Sequence, residues 1–365
     1  MSTQNPTPPS GGDQPTEHLE NAIELHEVAG LSQGQIVRRR FFRHKGAMIG
    51  LGVLVAVILL AFSSVGFGPV PGWWKYTGAP DPQNITNPGG SPTLSLPTWL
   101  GGTGFAIGEH PLGQDEIGRD MFAQVMKGIQ TSLMVMLIIG VVSCVVGVLV
   151  GSLAGFYRGR IDTFLMRTTD LFITVPALVI GAVVGKLAGG VSGLVFAFAL
   201  GLILWPSLAR LVRGEFLSLR EREFVDAARV AGASTRRIIF KHILPNAIGV
   251  IIVSTTLLMS QAILLETALS YIHFGITPPE VSLGRLISDY QSAFATRPWL
   301  FWWPGLFIVV IALSVNFIGD GLRDAFDPRQ KRIPSERKMA RAEAAASREP
   351  VVPLQIQGRG NGLGS

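Results

Sequence analysis

The sequence has little charge and almost no cysteine. Only 15% of its 365 residues are Asp, Glu, Lys or Arg, whereas 48% are hydrophobic. Soluble proteins have a charged share of about 25%, so this composition predicts a membrane protein. Cys144 is the only cysteine and lies within an apolar run, which excludes an internal disulfide and a cysteine metal cluster. We expect Cys144 to be a small packing residue.

Three further absences limit the possible functions. No GxxxxGKS or GxxxxGKT loop is found, so no ATP site is predicted in this chain. The apolar runs contain no His, Asp or Ser/Lys constellation for catalysis, and the chain is not expected to be an enzyme. Ionisable groups lie at the ends of these runs, as Asp170, Lys186 and Glu266 do, which disfavours an ion-coupled transporter or channel.

The first 37 residues contain no Lys or Arg and are rich in Pro, Gly, Ser, Thr and Gln. Such a segment buries too little apolar surface to fold, so residues 1–45 are predicted to form a disordered tail with a basic end. A short helix is expected near residues 17–28. The tail does not resemble a secretory signal, because the first apolar run comes late and no small-residue cleavage pattern follows it.

Six apolar runs are each predicted to cross the membrane as a helix, since about 20 residues span a hydrocarbon core of about 30 Å. If they do, 25 of the 31 Lys and Arg residues lie on one side, which predicts that both termini are cytoplasmic. The fold class is therefore an all-α membrane protein with six spans and a basic cytoplasmic tail, residues 323–365. The predicted spans are Ala47–Phe67, Ser132–Phe156, Leu171–Leu187, Val191–Ala209, Asn246–Leu265 and Leu300–Gly319.

Small residues recur every four positions in three of these runs, a spacing that lets membrane helices approach closely. We interpret this as bundle packing rather than as a substrate site. Pro176 and Pro206 are predicted to kink their helices. The recurring residues are Gly147, Gly151 and Gly155, then Gly181, Gly185 and Gly189, then Gly193, Ala197 and Gly201.

Residues 218–245 form a charged stretch between two apolar runs, and we predict a helical hairpin there. Ser218 and Glu221 have the spacing of a capping box, which predicts a helix start. Gly232 is expected to end this first helix, Ser234 to cap a second one, and Pro245 to limit it. One face of the first helix is predicted to consist of Phe224, Ala227, Ala228 and Ala231.

The hairpin could be a DNA-binding helix-turn-helix or a docking element for a cytosolic partner. Because both of its ends are tethered close to the bilayer, it has little room to reach a DNA groove, and docking is favoured. No nucleic-acid partner is predicted.

The hairpin contains Asp226, Ala227, Ala228 and Gly232, followed by Ile243, Leu244 and Pro245. This motif resembles the EAA loop of permease subunits of bacterial ATP-binding cassette importers. Aspartate stands at position 226 where the pattern has glutamate, and His242 stands where it has isoleucine. The resemblance implies that the loop couples the permease to an ATPase. The residues that would carry this role are Glu223, Asp226, Ala227, Ala228, Gly232, Ile243, Leu244 and Pro245.

Two segments outside the hairpin, Leu112 to Asp120 and Gly319 to Arg329, narrow the resemblance. Both are similar to segments of the second permease subunit of oligopeptide, dipeptide and nickel importers. One resembles LGTDxxGRD and the other resembles GDGLRDALDPR. A cation site in the first is not predicted, because its spacing is not that of an EF-hand loop and Arg119 opposes it. The matching residues are Leu112, Gly113, Asp115, Gly118, Arg119 and Asp120, and then Gly319, Asp320, Gly321, Leu322, Arg323 and Asp324.

A further segment, predicted to run outside the membrane from Glu266 to Arg297, resembles the family's LSFLGLGxxPP sequence. Leu269, Ser270 and Tyr271 begin this match. His273 falls where the family pattern has glycine, and we expect it to be an exposed loop residue rather than a ligand.

The resemblance implies the type I importer permease fold, with the hairpin as a coupling element. It divides the chain into residues 1–45, a first span and outer loop at 46–131, a five-helix core at 132–322, and the tail at 323–365. It also implies a second permease, two ATPases that bind ATP and Mg, an external solute-binding protein, and a place in the cytoplasmic membrane of a bacterium. No cofactor is expected in this chain. Peptides are the expected solute, with nickel or another small solute as the alternative.

Overall fold

Helices make up most of the protein in a computed structural model that describes residues 33–74, 90–95, 98–100, 102, 104–187 and 192–327. The predicted N-terminal disorder, the short helix near residues 17–28 and most of the basic tail fall outside these residues. Arg39–Phe326 forms one compact unit.

Eleven helices occur among the described residues. The first is α1 (Gln33–Arg43), and a two-residue antiparallel hairpin of β1 (Gly66–Phe67) and β2 (Val70–Pro71) follows α2. Short 3-10 turns cover Thr98–Leu100 and Gln291–Ala295. The other helices are α2 (Lys45–Ser64), α3 (Met121–Tyr157), α4 (Gly159–Thr174), α5 (Ala177–Leu187), α6 (Gly193–Leu204), α7 (Pro206–Arg220), α8 (Glu223–Val230), α9 (Thr235–Tyr271), α10 (Leu283–Tyr290) and α11 (Trp299–Phe326).

Four of the described helices, α2, α3, α9 and α11, are long and apolar enough to cross a membrane. Two further pairs of helices, each bent at a short break, are long and apolar enough only when the two helices of a pair are counted as one span. The described residues therefore contain up to six spans. The α4–α5 pair bends by 82° next to Pro176, and the α6–α7 pair bends by 44° at Pro206. Both predicted proline kinks are therefore confirmed.

Several helices extend beyond the apolar runs that predicted them. The helix α3 begins at Met121 rather than near Ser132, because Asp120 caps it by accepting a hydrogen bond from the Ala123 amide. The helix α9 likewise continues to Tyr271, so the loop predicted from Glu266 begins later. Hydropathy marks where a helix can meet lipid, whereas capping and packing decide where it ends.

The glycine spacing in α3 gives it close contact with α7. A Cβ at Gly147 would lie 3.1 Å from Leu208, and one at Gly155 would lie 2.7 Å from Phe216. At Gly151 the nearest group is the carbonyl oxygen of Ala209, which leaves no room for a side chain. The interpretation of this spacing as helix packing is confirmed.

Three apolar clusters form the core, and one of them lies under the hairpin. This third cluster contains Phe156 and Phe216, from the ends of α3 and α7, together with Val225 of α8 and Ile243 of α9. Cys144 packs against the same cluster with its thiol free, as expected for a small packing residue.

Candidate partner-docking site

The hairpin begins later than its sequence predicted. The helix α7 starts with Pro206 in its first turn and continues through Arg220, so Ser218 lies in its last turn and Glu221 at its carboxyl end. The predicted capping box at Ser218 is therefore wrong. The Glu221 carboxylate instead lies 2.9 Å from Arg158, at the junction of α3 and α4. A second helix, α8, starts at Glu223.

Gly232 ends α8, as predicted. Its φ of 76° is in the left-handed region, which a residue with a Cβ rarely adopts. The amide of Gly232 donates to the Arg229 carbonyl, and the amide of Ala233 donates to the Ala228 carbonyl. This pattern satisfies carbonyls at the end of the helix and turns the chain back.

Two details of the second helix differ from the prediction. Ser234 occupies the capping position, but its side chain makes no capping hydrogen bond. Pro245 does not limit the helix, because α9 runs on from Thr235 to Tyr271. The segment Ile238–Ile243 is π-helical, and Pro245 lies in the first turn of the α-helix after it, where the missing proline N–H costs little.

The exposed side of α8 carries apolar residues beside its charged ones. Val225 is fully buried and fixes α8 to the third cluster, with Ala228 partly buried beside it. Phe224, Ala227 and Ala231 face away from the protein, and Val230 is 91% exposed. We call Phe224, Ala227, Val230 and Ala231 the hairpin patch. Apolar groups placed together in this way are typical of an interaction surface.

The remaining motif residues hold this patch in place or border it. Ile243 is fully buried in the same cluster as Val225, so the two halves of the motif meet there. Leu244 is half-buried and Pro245 is exposed. Asp226 is 64% exposed and lies 2.9 Å from Arg229 one turn later. Glu223, also exposed, opens α8.

The segment from Leu112 to Asp120 folds around a buried carboxylate. Asp115 Oδ1 accepts hydrogen bonds from the amides of Ile117 and Arg119, and Oδ2 accepts from Arg119 Nε at 2.6 Å and Tyr290 Oη at 2.9 Å. Burial and the Asp115 carboxylate raise the pKa of Tyr290. Asp115 therefore joins this segment to α10, and its oxygens are engaged by protein donors.

Other residues of this segment shape the turn before α3. Gly113 and Gly118 have φ values of 86° and 85°, and Leu112 is buried in the first apolar cluster. Asp120 caps α3, accepts a hydrogen bond from Trp74 Nε1 at 2.7 Å and lies 3.0 Å from His110. The structure brings all the predicted residues of this segment into one turn. Among the described residues no group of three or more His, Cys, Asp and Glu is arranged to hold a metal ion.

A buried carboxyl that sequence reasoning did not select lies near the end of α9. Oε1 of Glu266 accepts hydrogen bonds from Ser270 at 2.7 Å and Ser282 at 2.8 Å. Each serine oxygen also accepts a backbone amide, from Ile276 and Arg285 respectively. Glu266 thus holds the turn after α9 and the start of α10. Because Glu266 stands at the end of an apolar run, the sequence alone did not indicate this role.

His273, in that turn, adopts φ 63°, the conformation that glycine would supply at this position. Its side chain is exposed, as predicted, and its Nδ1 lies 3.1 Å from Ser288 Oγ. The departure from the family pattern therefore leaves the turn intact, because the surrounding contacts hold histidine in an uncommon conformation.

The segment Gly319 to Asp324 is helical throughout and packs on the start of α2. Gly319 and Gly321 are buried, Leu322 and Asp324 are half-buried, and Asp320 and Arg323 are exposed. At Gly321 the nearest neighbour is the side chain of Ala47, so a larger residue would separate α11 from α2. The signature therefore serves helix packing at this end of the bundle.

Comparison with known proteins identifies the class. Residues 147–332 match the family described as "Binding-protein-dependent transport system inner membrane component", and residues 32–87 match "N-terminal TM domain of oligopeptide transport permease C". The chain belongs to this family of inner membrane components, and its fold is that of a type I permease.

Its relatives are oligopeptide permeases. The chain is 36% identical over 321 residues to the oligopeptide transport system permease protein OppC of Escherichia coli, a match that covers 87% of this chain and 98% of that protein. It is 34% identical over 315 residues to OppC of Haemophilus influenzae, covering 86% and 94% of the two chains. For OppC of Mycobacterium tuberculosis the identity is 34%, with coverages of 83% and 97%.

Proposed function

We propose that this chain is one of the two permease subunits of an ATP-driven importer and forms half of the pathway for peptides. The names of its relatives support the solute class, and the exposed hairpin supports the dependence on a partner. In this proposal an external binding protein delivers the peptide, and two ATPase subunits bind ATP and Mg.

The hairpin patch carries the proposal. Val230 and its neighbours present apolar area to water, whereas Val225 of the same helix is buried in the third cluster. Docking of the patch in a cleft of an ATPase would cover that area. Closure of the ATPase pair would then shift the bundle between inward-open and outward-open states, as a partner biases a two-state element.

The proposal fixes the orientation of the chain. The hairpin and both termini are cytoplasmic, because Lys and Arg are concentrated in those segments. The turns around Asp115 and Phe274 then face outward, toward the binding protein. With Cys144→Ser as background, a cysteine at Phe105 should react with an impermeant maleimide in intact cells, and one at Thr235 should react only after lysis. The reverse pattern would reject this orientation.

Replacement of an exposed patch residue tests the docking role. Val230→Asp should abolish co-purification of the ATPase and ATP-dependent peptide uptake, because a charge would be desolvated in the interface. Phe105→Asp is the matched control, since Phe105 is also exposed and apolar but lies in the segment assigned to the outside. Normal ATPase binding by Val230→Asp would overturn the docking site.

Uptake experiments also separate the alternatives for the solute and the energy source. The complex of this chain with its neighbouring permease, ATPases and binding protein should import labelled alanine peptides in vesicles only when ATP is present inside. Uptake of nickel alone would reassign the solute. Uptake driven by an ion gradient without ATP would reject the importer class.

A further inference from the structure

An ion pair joins the helix before the hairpin to the helix α4. Arg213 of α7 contacts the Asp162 carboxylate through two parallel hydrogen bonds, from Nε at 2.6 Å and from Nη2 at 2.7 Å. This geometry is the strongest that an arginine and a carboxylate can form. The side chains are only 34% and 16% exposed, so water screens the pair less than it would at an open surface.

The carboxyl end of α7 is fixed to the end of α3. Arg220, the last residue of α7, donates from Nη1 to the carbonyl of Phe156 and lies over its ring at 5.6 Å. Glu221 pairs with Arg158, which connects α3 to α4. Polar contacts as well as apolar packing therefore connect the carboxyl end of α7 to the α3–α4 corner.

From this corner, α4 leads to the far end of the bundle. The helix α5 follows it after the 82° bend and packs on the end of α9. A Cβ at Gly181 would lie 2.7 Å from Leu269, and Gly185 lies directly against the carbonyl of Phe274. Because α9 has 37 residues, the turn at Phe274 is about 55 Å from the hairpin at its other end.

We propose that the Asp162–Arg213 pair makes α4 move with α7, so that displacement of the hairpin is transmitted through the bent α4–α5 segment to the turn at Phe274. Both are positioning residues: they connect the docking hairpin to the outer turn. The inference rests on the proposed function, because it requires an ATPase to move the hairpin.

A second pair between the same two helices supplies a control. Arg210 of α7 lies 2.5 Å from Asp170 of α4, but through a single contact, and the side chains are 49% and 47% exposed. Exposed pairs of this kind contribute little. If transport only required opposite charges between α4 and α7, breaking either pair would impair it. The proposed transmission instead depends on the bidentate Asp162–Arg213 pair.

The test measures peptide uptake and ATP hydrolysis together in proteoliposomes that contain the whole complex and labelled alanine peptides. Asp162→Arg and Arg213→Asp should each lower the amount imported per ATP hydrolysed by about fivefold or more, while ATPase subunits remain bound. The double variant Asp162→Arg, Arg213→Asp should restore the ratio. Asp170→Arg and Arg210→Asp should change it by less than about twofold.

If Asp162→Arg and Arg213→Asp each import as much peptide per ATP hydrolysed as the parent does, the inference is overturned and the docking proposal stays intact. Equal losses from both pairs, or no restoration by the double variant, would also overturn it, because the effect would then be one of general charge or fold. Failure of the parental complex to import peptides with ATP would instead count against the proposed function, and the inference would fall with it.

Discussion

Nε2 of His44 lies 3.2 Å from the carboxylate of Asp324, which joins the residue that caps the first long helix to the end of the last one. Nδ1 of the same imidazole accepts the amide of Ala47 at 3.0 Å, so the ring proton resides on Nε2 and is donated to Asp324. One histidine therefore both caps α2 and binds α11.

The two roles of His44 predict that His44→Ala loses more stability than Asp324→Asn does. His44→Ala removes a helix cap, which costs about 0.5–2 kcal/mol, together with the Asp324 contact. Asp324→Asn keeps an oxygen that can accept from Nε2 and removes only the carboxylate charge, so it should cost less. Thermal unfolding in detergent should rank His44→Ala as the less stable variant. In the His44→Ala background, Asp324→Asn should cause a smaller loss than it does alone, and simple additivity would contradict the link.

Gly232 is expected to be required for its backbone conformation. Apart from Gly232 and its two neighbours in sequence, no atom of the residues that the structure describes lies within 4 Å of a Cβ built there. A side chain is therefore opposed by the φ of 76°, at about 1–2 kcal/mol, and by any docked partner. Gly232→Leu should abolish uptake while the protein remains in the membrane. Gly214→Leu is the control, because that glycine also has open space around it but lies within α7 without positive φ.

A third variant at this position separates the two causes. Asn adopts the left-handed conformation more readily than Leu does, so Gly232→Asn should restore the turn. Recovery of uptake in Gly232→Asn would assign the requirement to backbone conformation. Continued loss would assign it to the space that the ATPase occupies. Normal uptake by Gly232→Leu would contradict both explanations.

Asp226 tests whether charge in the hairpin matters at an interface. Its pair with Arg229 is exposed and should contribute only about 0.3–0.5 kcal/mol within the isolated chain. A charged contact buried against the ATPase would cost about 2–5 kcal/mol when truncated. We expect Asp226→Ala to weaken ATPase co-purification and uptake, and Asp226→Glu to preserve both. The matched control is Arg229→Ala, which removes the same intrahelical pair but keeps the Asp226 carboxylate. If Asp226→Ala retained the ATPase as well as the parent does, Asp226 would be only a solvated surface residue.

Glu266 should be more sensitive to truncation than to loss of charge. Glu266→Ala leaves the buried hydroxyls of Ser270 and Ser282 without their acceptor, at a cost of about 1–3 kcal/mol for each. Glu266→Gln keeps one oxygen acceptor and should be close to the parent in thermal unfolding. Ser288→Ala, which removes the hydrogen bond to the Tyr271 carbonyl and the 3.1 Å contact with His273 Nδ1, provides a reference loss of stability. Equal stability of Glu266→Ala and the parent would contradict the proposed role of Glu266 in holding the turn.

The sequence predicted the apolar helices well, because hydropathy and glycine spacing are local properties. It predicted Gly232 as a helix end for the same reason: glycine supplies the left-handed turn directly. The capping box at Ser218 failed because the spacing of Ser218 and Glu221 is also compatible with the last turn of a helix. Only the side-chain partner of Glu221, Arg158, distinguishes the two, and that partner is 63 residues away in sequence.

Long-range pairing also explains the residues that sequence reasoning missed. The role of Glu266 depends on Ser282, and that of Asp162 on Arg213, which lies on a separate helix. Neither pairing leaves a periodic signal in the chain. The proline at position 245 shows the reverse case, in which a strong local signal is overridden because a π-helical turn before it places it where a helix accepts proline.

The exposed hairpin patch has a consequence for assembly in the cell. If the hairpin is cytoplasmic and docks on an ATPase, as proposed, a permease made without that ATPase would keep Val230 and Phe224 in contact with water and within reach of cytoplasmic chaperones and proteases. The chain should therefore have a shorter half-life in pulse-chase labelling when the ATPase genes are absent, and Val230→Asp should lengthen it under that condition. The surface that binds the ATPase in this proposal would therefore also determine how long an unassembled permease survives.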